Sequence, residues 1–265
     1  MNRFDYHMHC SYSFDSEAKI SDQLLAARRM GLTEICFTDH VDFDELKKPY
    51  PRPLPDLDAR RKEIESLAKD FPEITVKHGA EISLSDASAA ERAETYLEGK
   101  NLDFVIGSVH AVNGVETYYE DYMAGRTKQT AYYDYLDAIC KGIKPCKMMN
   151  VLGHYDFVAK FTDYADRRMT LDVSKELFYE IFKLLIERGK GIEVNTSAWK
   201  DDPCWGLDVL KLYRELGGEF ITTGSDAHIP KNVGRRLDEA CALAKEAGIP
   251  YIASFDKMKP IFHRL

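Results

Sequence analysis

An α/β barrel of parallel strands is what this chain predicts, and three patterns predict it. Short apolar β-like runs alternate with amphipathic helical stretches from end to end, an order that pairs strands in parallel through helical crossovers. Seven strong strand-helix units and a weak eighth strand fit within 265 residues, which favours a closed or nearly closed barrel, with an open sheet as the alternative. A histidine or a carboxylate ends nearly every apolar run, and in a barrel those ends meet at one mouth.

The first run, Phe4 to His9, reads as a strand, and SDQLLAARRMG as the helix after it, with Ser21 or Asp22 as cap and Gly31 as stop. Strand ICFT follows. The alternation then repeats through helix DLDARRKEIESLAKDF and strand TVKHGAEI, helix AAERAETYLEG and strand DFVIGSVH, helix QTAYYDYLDAICKG and strand NVLGHYD. It closes with helix SKELFYEIFKLLIERG, strand GIEVNTS, helix GLDVLKLYRELGG, strand FITTGSDAH, helix VGRRLDEACALAKEAG and the weak strand YIASF. One connection is long: Val41 to Leu57 carries four prolines and mixed charges, and is either a substrate lid over the mouth or a surface excursion.

Composition narrows the class. With 45% hydrophobic and 30% charged residues the chain can bury one large core, so residues 1–265 are expected to form a single domain. A net charge of -8 disfavours long nucleic acid and anionic membrane as partners. The six cysteines form no C-x-x-C pair, which suits reduced thiols. No leader-like or membrane-length apolar stretch is present, so a cytoplasmic protein is expected. No G-x-G-x-x-G or Walker loop follows a strand, which removes support for a nucleotide-binding fold.

The chemistry lies at the strand ends. His7 and His9, two apart on a strand, point to the same side, as do Asp226 and His228. His40, His110 and His154 each follow a β-rich run directly, so five strand ends account for six of the eight histidines. Glu81 is a carboxylate in a strand that reads as buried, where an anion is costly unless it meets cations. Asp15, in the first loop, can reach the same cluster. Nine donors exceed what one ion can use, so the site is expected to hold two or three metals. Imidazole and carboxylate without thiolate suit zinc, manganese or iron better than calcium or magnesium. His78, on the opposite pleat face from Glu81, and His263 read as structural. Asp39 beside His40 and Asp156 beside His154 read as strand-end polar residues or as acceptors that orient the histidines.

The motifs HMHCSYSFD, ICFTDHVDF, HGAEIS, FVIGSVH, VLGHYDF, IEVNTS and TTGSDAH, in that order, resemble the PHP (polymerase and histidinol phosphatase) family, in its stand-alone histidinol-phosphatase branch. The resemblance implies a distorted (β/α)7 TIM-like barrel with a metal cluster at the C-terminal ends of the strands. It implies three divalent transition-metal ions: His7, His9, Glu81 and Asp226 on the first, Glu81, His110 and His154 on the second, and Asp15, His40 and His228 on the third. The implied reaction is phosphomonoester hydrolysis by attack of a metal-bridging hydroxide, most specifically of L-histidinol phosphate in histidine biosynthesis, with Asp226, Glu81 and His228 in catalytic roles. Asp226 or a metal-bound water is the candidate proton donor to the leaving group. Relatives with that substrate commonly carry arginines where this chain has Lys160 and Lys200; these lysines, with Arg52 in the proline-rich loop, are the expected phosphate contacts. Asp42, Asp44 and Glu45 would suit a cationic amine on the substrate. The alternatives are a PHP phosphoesterase acting on nucleotides, nucleic-acid ends or phosphotyrosine protein, and a non-enzymatic metal-binding or polymerase-associated module, which the complete ligand set disfavours.

Overall fold

The computed structural model describes residues 3–199, 203, 204 and 206–265. In chain order its elements are β1 (Phe4–Met8), α1 (Ile20–Met30), β2 (Glu34–Phe37), β3 (His40–Val41), α2 (Leu57–Leu67), β4 (Thr75–Ser83), α3 (Ala87–Leu97) and β5 (Phe104–Ser108). A small hairpin of β6 (Ala111–Val112) and β7 (Val115–Glu116) leads to α4 (Glu120–Met123), α5 (Lys128–Ile143) and β8 (Val151–Leu152). The remainder is α6 (Lys175–Glu187), β9 (Gly191–Asn195), α7 (Leu207–Glu215), β10 (Phe220–Gly224), α8 (Leu237–Glu246), β11 (Tyr251–Asp256) and β12 (Lys259–Arg264).

Seven parallel strands form the wall, in the order β1, β2, β4, β5, β8, β9, β10. The circle closes just beyond β10, where the Asp226 amide donates to the His7 carbonyl (2.8 Å) and the His9 amide to the Ala227 carbonyl (2.9 Å). Met8 and Ala227 form a parallel bridge there. The barrel, not the open sheet, is therefore the architecture. The weak eighth strand is not a stave: β11 pairs with β10 only at Phe220 and Ile221, then runs antiparallel to β12. Its Ile252, Ala253 and Phe255 pack with Phe4, Tyr6, Phe104, Ile106 and Val151 as a plug inside the wall. Seven staves already close the circle, and the apolar face of β11 has nowhere else to be buried.

Helix ends follow local chemistry. Asp56, Asp86, Thr127 and Ser174 cap α2, α3, α5 and α6 by accepting from backbone amides three residues on. The expected cap of α1 is corrected: Lys19 precedes that helix without a side-chain cap, and Asp22 stands in the first turn, where it faces the positive end of the helix dipole. Gly31 does stop it, in the left-handed conformation at φ 65°. Among the described residues no helix is long and apolar enough to cross a membrane.

Two departures from regularity shape the mouth. After β2 the chain breaks at Thr38 and Asp39, then resumes as β3 with His40 in register beside Glu81 of β4. Asp39 does not orient His40; it accepts from the Cys10 amide (2.7 Å) and pairs with Arg60 of α2 (2.6 Å), both side chains being fully buried. A second Arg60 bond reaches the Gly79 carbonyl (2.6 Å), so one guanidinium ties the kink to α2 and β4. The proline-rich connection is a fixed wall. The Lys47 amide donates to Gly114 in the β6–β7 turn (2.8 Å), and Arg52 reaches Asp42, Asp44 and Glu116.

Removing one partner of a buried pair strands the other charge. Arg60→Met is expected to lower the free energy of unfolding by about 3–5 kcal/mol, read by urea denaturation, whereas breaking the exposed Lys144–Glu180 pair with Lys144→Met should leave stability nearly unchanged.

Candidate metal centre

All nine donor residues expected from the sequence come together at the C-terminal mouth. Glu81 projects from β4, and within 3.5 Å of its two oxygens lie ring nitrogens of His7 (3.2 Å), His9 (3.5 Å), His40 (3.1 Å), His110 (3.3 Å) and His154 (2.9 Å). Asp226 Oδ1 lies 3.6 Å from His7 Nε2 and 3.3 Å from His9 Nε2. Asp15 Oδ2 lies 3.3 Å from His40 Nε2 and 2.9 Å from His228 Nε2. The donor atoms fall into overlapping clusters: His7, His9 and Asp226; His7, Glu81 and His154; His9, Asp15, His40 and His228; and His40, Asp42 and His110. Asp15 and His228 are about a third exposed, so their cluster opens outward while the others are buried.

These side chains fit metal ions better than they fit one another. The nearest nitrogens of His7 and His9 face each other at 3.1 Å, although two neutral imidazoles share at most one proton there. Bonds of about 2.0–2.1 Å in a tetrahedral set place neighbouring ligand atoms roughly 3.3–3.4 Å apart, close to most of the spacings observed. Glu81 Oε2 and the Nδ1 atoms of His40 and His110 are buried without a hydrogen-bond partner, a costly state unless a cation satisfies the donors at the centre of the cluster.

The electrostatics have the same sense. Burial works against the Glu81 carboxylate, but His7, His110 and His40 outweigh it and hold its pKa well below the usual range. For His9, burial together with His228 and His40 lowers the pKa to about 4, so its ring is neutral with a lone pair to give. Burial opposes the Asp226 anion too, yet Lys160, His7 and His9 keep its carboxyl well below normal. The backbone aims that side chain: Asp226 is left-handed at φ 52°, a conformation that aspartate tolerates better than most residues.

Sequence reasoning missed Glu193. From the middle of β9 its Oε1 accepts from His7 Nδ1 (2.8 Å), while Oε2 accepts from the His154 amide (3.0 Å) and the Asn195 side chain (3.1 Å). It fixes which ring nitrogen of His7 faces the cluster. A lone acid between Ile192 and Val194 was the available signal. Gly224 leaves room for it, since a Cβ there would stand 2.1 Å from Glu193 Oε1. Asp156 does not orient His154, whose Nδ1 is unpartnered; burial, with Glu193 and Asp226 adding to it, pushes the Asp156 carboxyl up to about 8.

Above the cluster lies a cavity of about 410 Å³. Lys160 lines it, its Nζ 3.2 Å from Asp226 Oδ2. Phe14, Tyr50, Tyr118, Phe157 and Phe161 supply aromatic wall, and Asp42 and Glu116 supply acid. Arg52, expected as a phosphate contact, is instead committed to Asp42 (3.3 Å), Asp44 (2.9 Å) and Glu116 (2.8 Å), and braces the acidic wall from behind. Three carboxylates around one guanidinium leave it no face for an anion. Glu45 is not among the lining residues, and Lys200 lies outside the described residues.

Comparisons with known proteins find relatives along nearly the whole chain. The PHP domain model matches residues 5–197. A histidinol-phosphatase of Lactococcus lactis subsp. lactis is 33% identical over 98% of this chain and 96% of its own length. A probable histidinol-phosphatase of Clostridium acetobutylicum is 26% identical over 98% and 96%. The crystal structure of the histidinol phosphate phosphatase from Lactococcus lactis subsp. lactis, complexed with zinc, L-histidinol and phosphate, matches with a TM-score of 0.89 and 32% identity, over 98% of this chain and 99% of that one.

Glu193→Gln keeps the shape of the side chain but removes the charge behind His7. It should weaken metal binding by roughly 10–100-fold, measured by competition with a chromophoric chelator, and unchanged affinity would deny Glu193 that role.

Proposed function

This chain belongs to the PHP domain family, and from that membership we infer that it is a metal-dependent phosphomonoesterase hydrolysing L-histidinol phosphate to L-histidinol and phosphate, a reaction of histidine biosynthesis. One observation carries the reading most directly. Ten nitrogen and oxygen donors, the nine expected and Asp42, meet in overlapping clusters on the floor of a cavity that also holds a lysine. The whole of residues 1–265 is read as the one catalytic domain.

Three divalent ions are proposed. His7, His9, Glu81 and Asp226 would hold the first, Glu81, His110 and His154 the second, and Asp15, His40 and His228 the third, with zinc, manganese or iron as the candidate metals. Bound there, such ions lower the pKa of water and neutralise charge on phosphoryl oxygens. The residues of the chain do the rest. Lys160, held over the rings of Phe157 and Phe161, is placed to pair with the phosphate as a point charge. Asp226, kept anionic by its neighbours, suits a ligand and proton acceptor better than a proton donor, which favours a metal-bound water among the two donors the resemblance implied. A donor must be protonated when the leaving group departs.

The rest of the cavity suits the other part of the substrate. Glu116 accepts from the Tyr50 hydroxyl (2.8 Å), which also bonds the Tyr118 hydroxyl (2.9 Å). Asp42 Oδ1 and Glu116 Oε2 remain buried and without a hydrogen-bond partner. These unpartnered oxygens, on carboxylates that Arg52 braces and beside aromatic rings, offer a place for a cationic amine and a flat ring. A nucleoside monophosphate brings no ammonium group to that wall. No feature of the cavity favours long nucleic acid.

With metals counted, the purified enzyme is expected to hydrolyse L-histidinol phosphate with a kcat/KM well above that for nucleoside monophosphates and phosphotyrosine; a preference for either competitor would refute the assignment. Lys160→Met should reduce kcat/KM by roughly 10–100-fold with metal content unchanged, and Lys160→Arg should restore most of it.

A further inference from the structure

A second cavity of about 350 Å³ lies against the first, and the two share Lys160, Phe161, Asp226 and His228 as a common wall. Its other lining residues include Ser197, Asn232 and Arg235, none of which faces the main cavity. Arg235 is fixed in place. Its guanidinium donates to the Trp199 carbonyl and its own carbonyl accepts from the Thr196 hydroxyl (2.7 Å), so the loops after β9 and β10 hold it between them. Among the described residues no carboxylate is paired with it. The Ser197 hydroxyl is buried with no hydrogen-bond partner. Asp226, the one carboxylate in the lining, is occupied by Lys160 and by the histidines behind it.

We propose that this second cavity is a binding site for inorganic phosphate, the product anion, reached from the main cavity past Lys160. Resting on the phosphomonoesterase reading, the assignment goes beyond it by giving the released dianion a place off the metals. The guanidinium offers a planar set of donors suited to phosphate oxygens, and only one is used by a neutral carbonyl. The Ser197 hydroxyl and the Asn232 amide supply uncharged donors. Lys160, standing in the shared wall, can follow the anion from one side to the other without leaving its stem.

The test titrates phosphate-free, metal-loaded protein with inorganic phosphate by calorimetry. Wild type should take up two phosphates per chain and Arg235→Met one, with the second affinity weakened roughly tenfold or more while kcat/KM for the phosphate ester stays within about threefold. Ser197→Ala, which orphans no partner and should not disturb folding, is expected to weaken the second phosphate by roughly threefold. A single phosphate in wild type would overturn the assignment. So would variants that leave the second phosphate unchanged, or a fall in kcat/KM that tracks the loss of phosphate affinity, which would mean one shared site. Two bound phosphates without hydrolysis of any phosphomonoester would instead sink the reaction and leave the cavity assignment standing.

Discussion

Everything at the mouth of this barrel depends on one buried carboxylate. Glu81 is fully buried, and an isolated anion at such depth carries a penalty of several kcal/mol even after the protein relaxes. Five imidazoles from four other strand ends surround it within 3.5 Å. Each imidazole is a neutral donor or a cation depending on what shares the centre, so the carboxylate and the rings are stable only as a set. That requirement constrains the fold. The β2–β3 break must place His40 beside Glu81, and the closure after β10 must turn left-handed at Asp226 to complete the ring.

The supports of this set are themselves buried charges. Arg60 neutralises Asp39 at the β2–β3 break, Glu193 backs His7, and Arg52 holds Asp42, Asp44 and Glu116. In each case the pair is costly to break and gives little net stability over an apolar alternative. Their value lies in geometry: a hydrophobic contact would tolerate a sliding loop, whereas a guanidinium with two or three fixed acceptors does not. The proline-rich connection, long enough to wander, is a wall for this reason.

How much of this was legible in the sequence follows from what each feature depends on. Barrel staves and strand-end donors were legible, because alternation and chain order alone bring His7, Glu81, His110, His154 and Asp226 to one face. Pairing partners were not. Asp39 and Asp156 stand one and two residues from histidines and were read as strand-end polar residues or as their acceptors; both fall outside the strands, where alternation no longer says which way a side chain turns. Arg52 read as a free cation because its three acids lie 8, 10 and 64 residues away. The eighth strand had the composition of a stave, and only the count of staves needed for closure turned it into a plug.

The lysine at position 160 makes sense only against this background of excess acid. The cavity gathers Asp15, Asp42, Glu81, Glu116 and Asp226 along its lining, and these acids repel a phosphate dianion unless cations balance them. Divalent ions reverse that sign at the floor, where the imidazoles converge, whereas the wall of Asp42 and Glu116, braced from behind by Arg52, keeps buried carboxylate oxygens without a hydrogen-bond partner. The cavity is thereby divided into a cationic floor with Lys160 beside it and an anionic aromatic wall. A substrate carrying phosphate on one part and an ammonium or imidazolium on another matches both regions at once, whereas a simple phosphate ester satisfies only the floor and leaves buried carboxylate oxygens unpaired. Selectivity of that kind comes from what the wrong ligand strands rather than from how tightly the phosphate is gripped. A lysine without a guanidinium's bidentate fork is then sufficient at position 160, because the discrimination is made at the other wall.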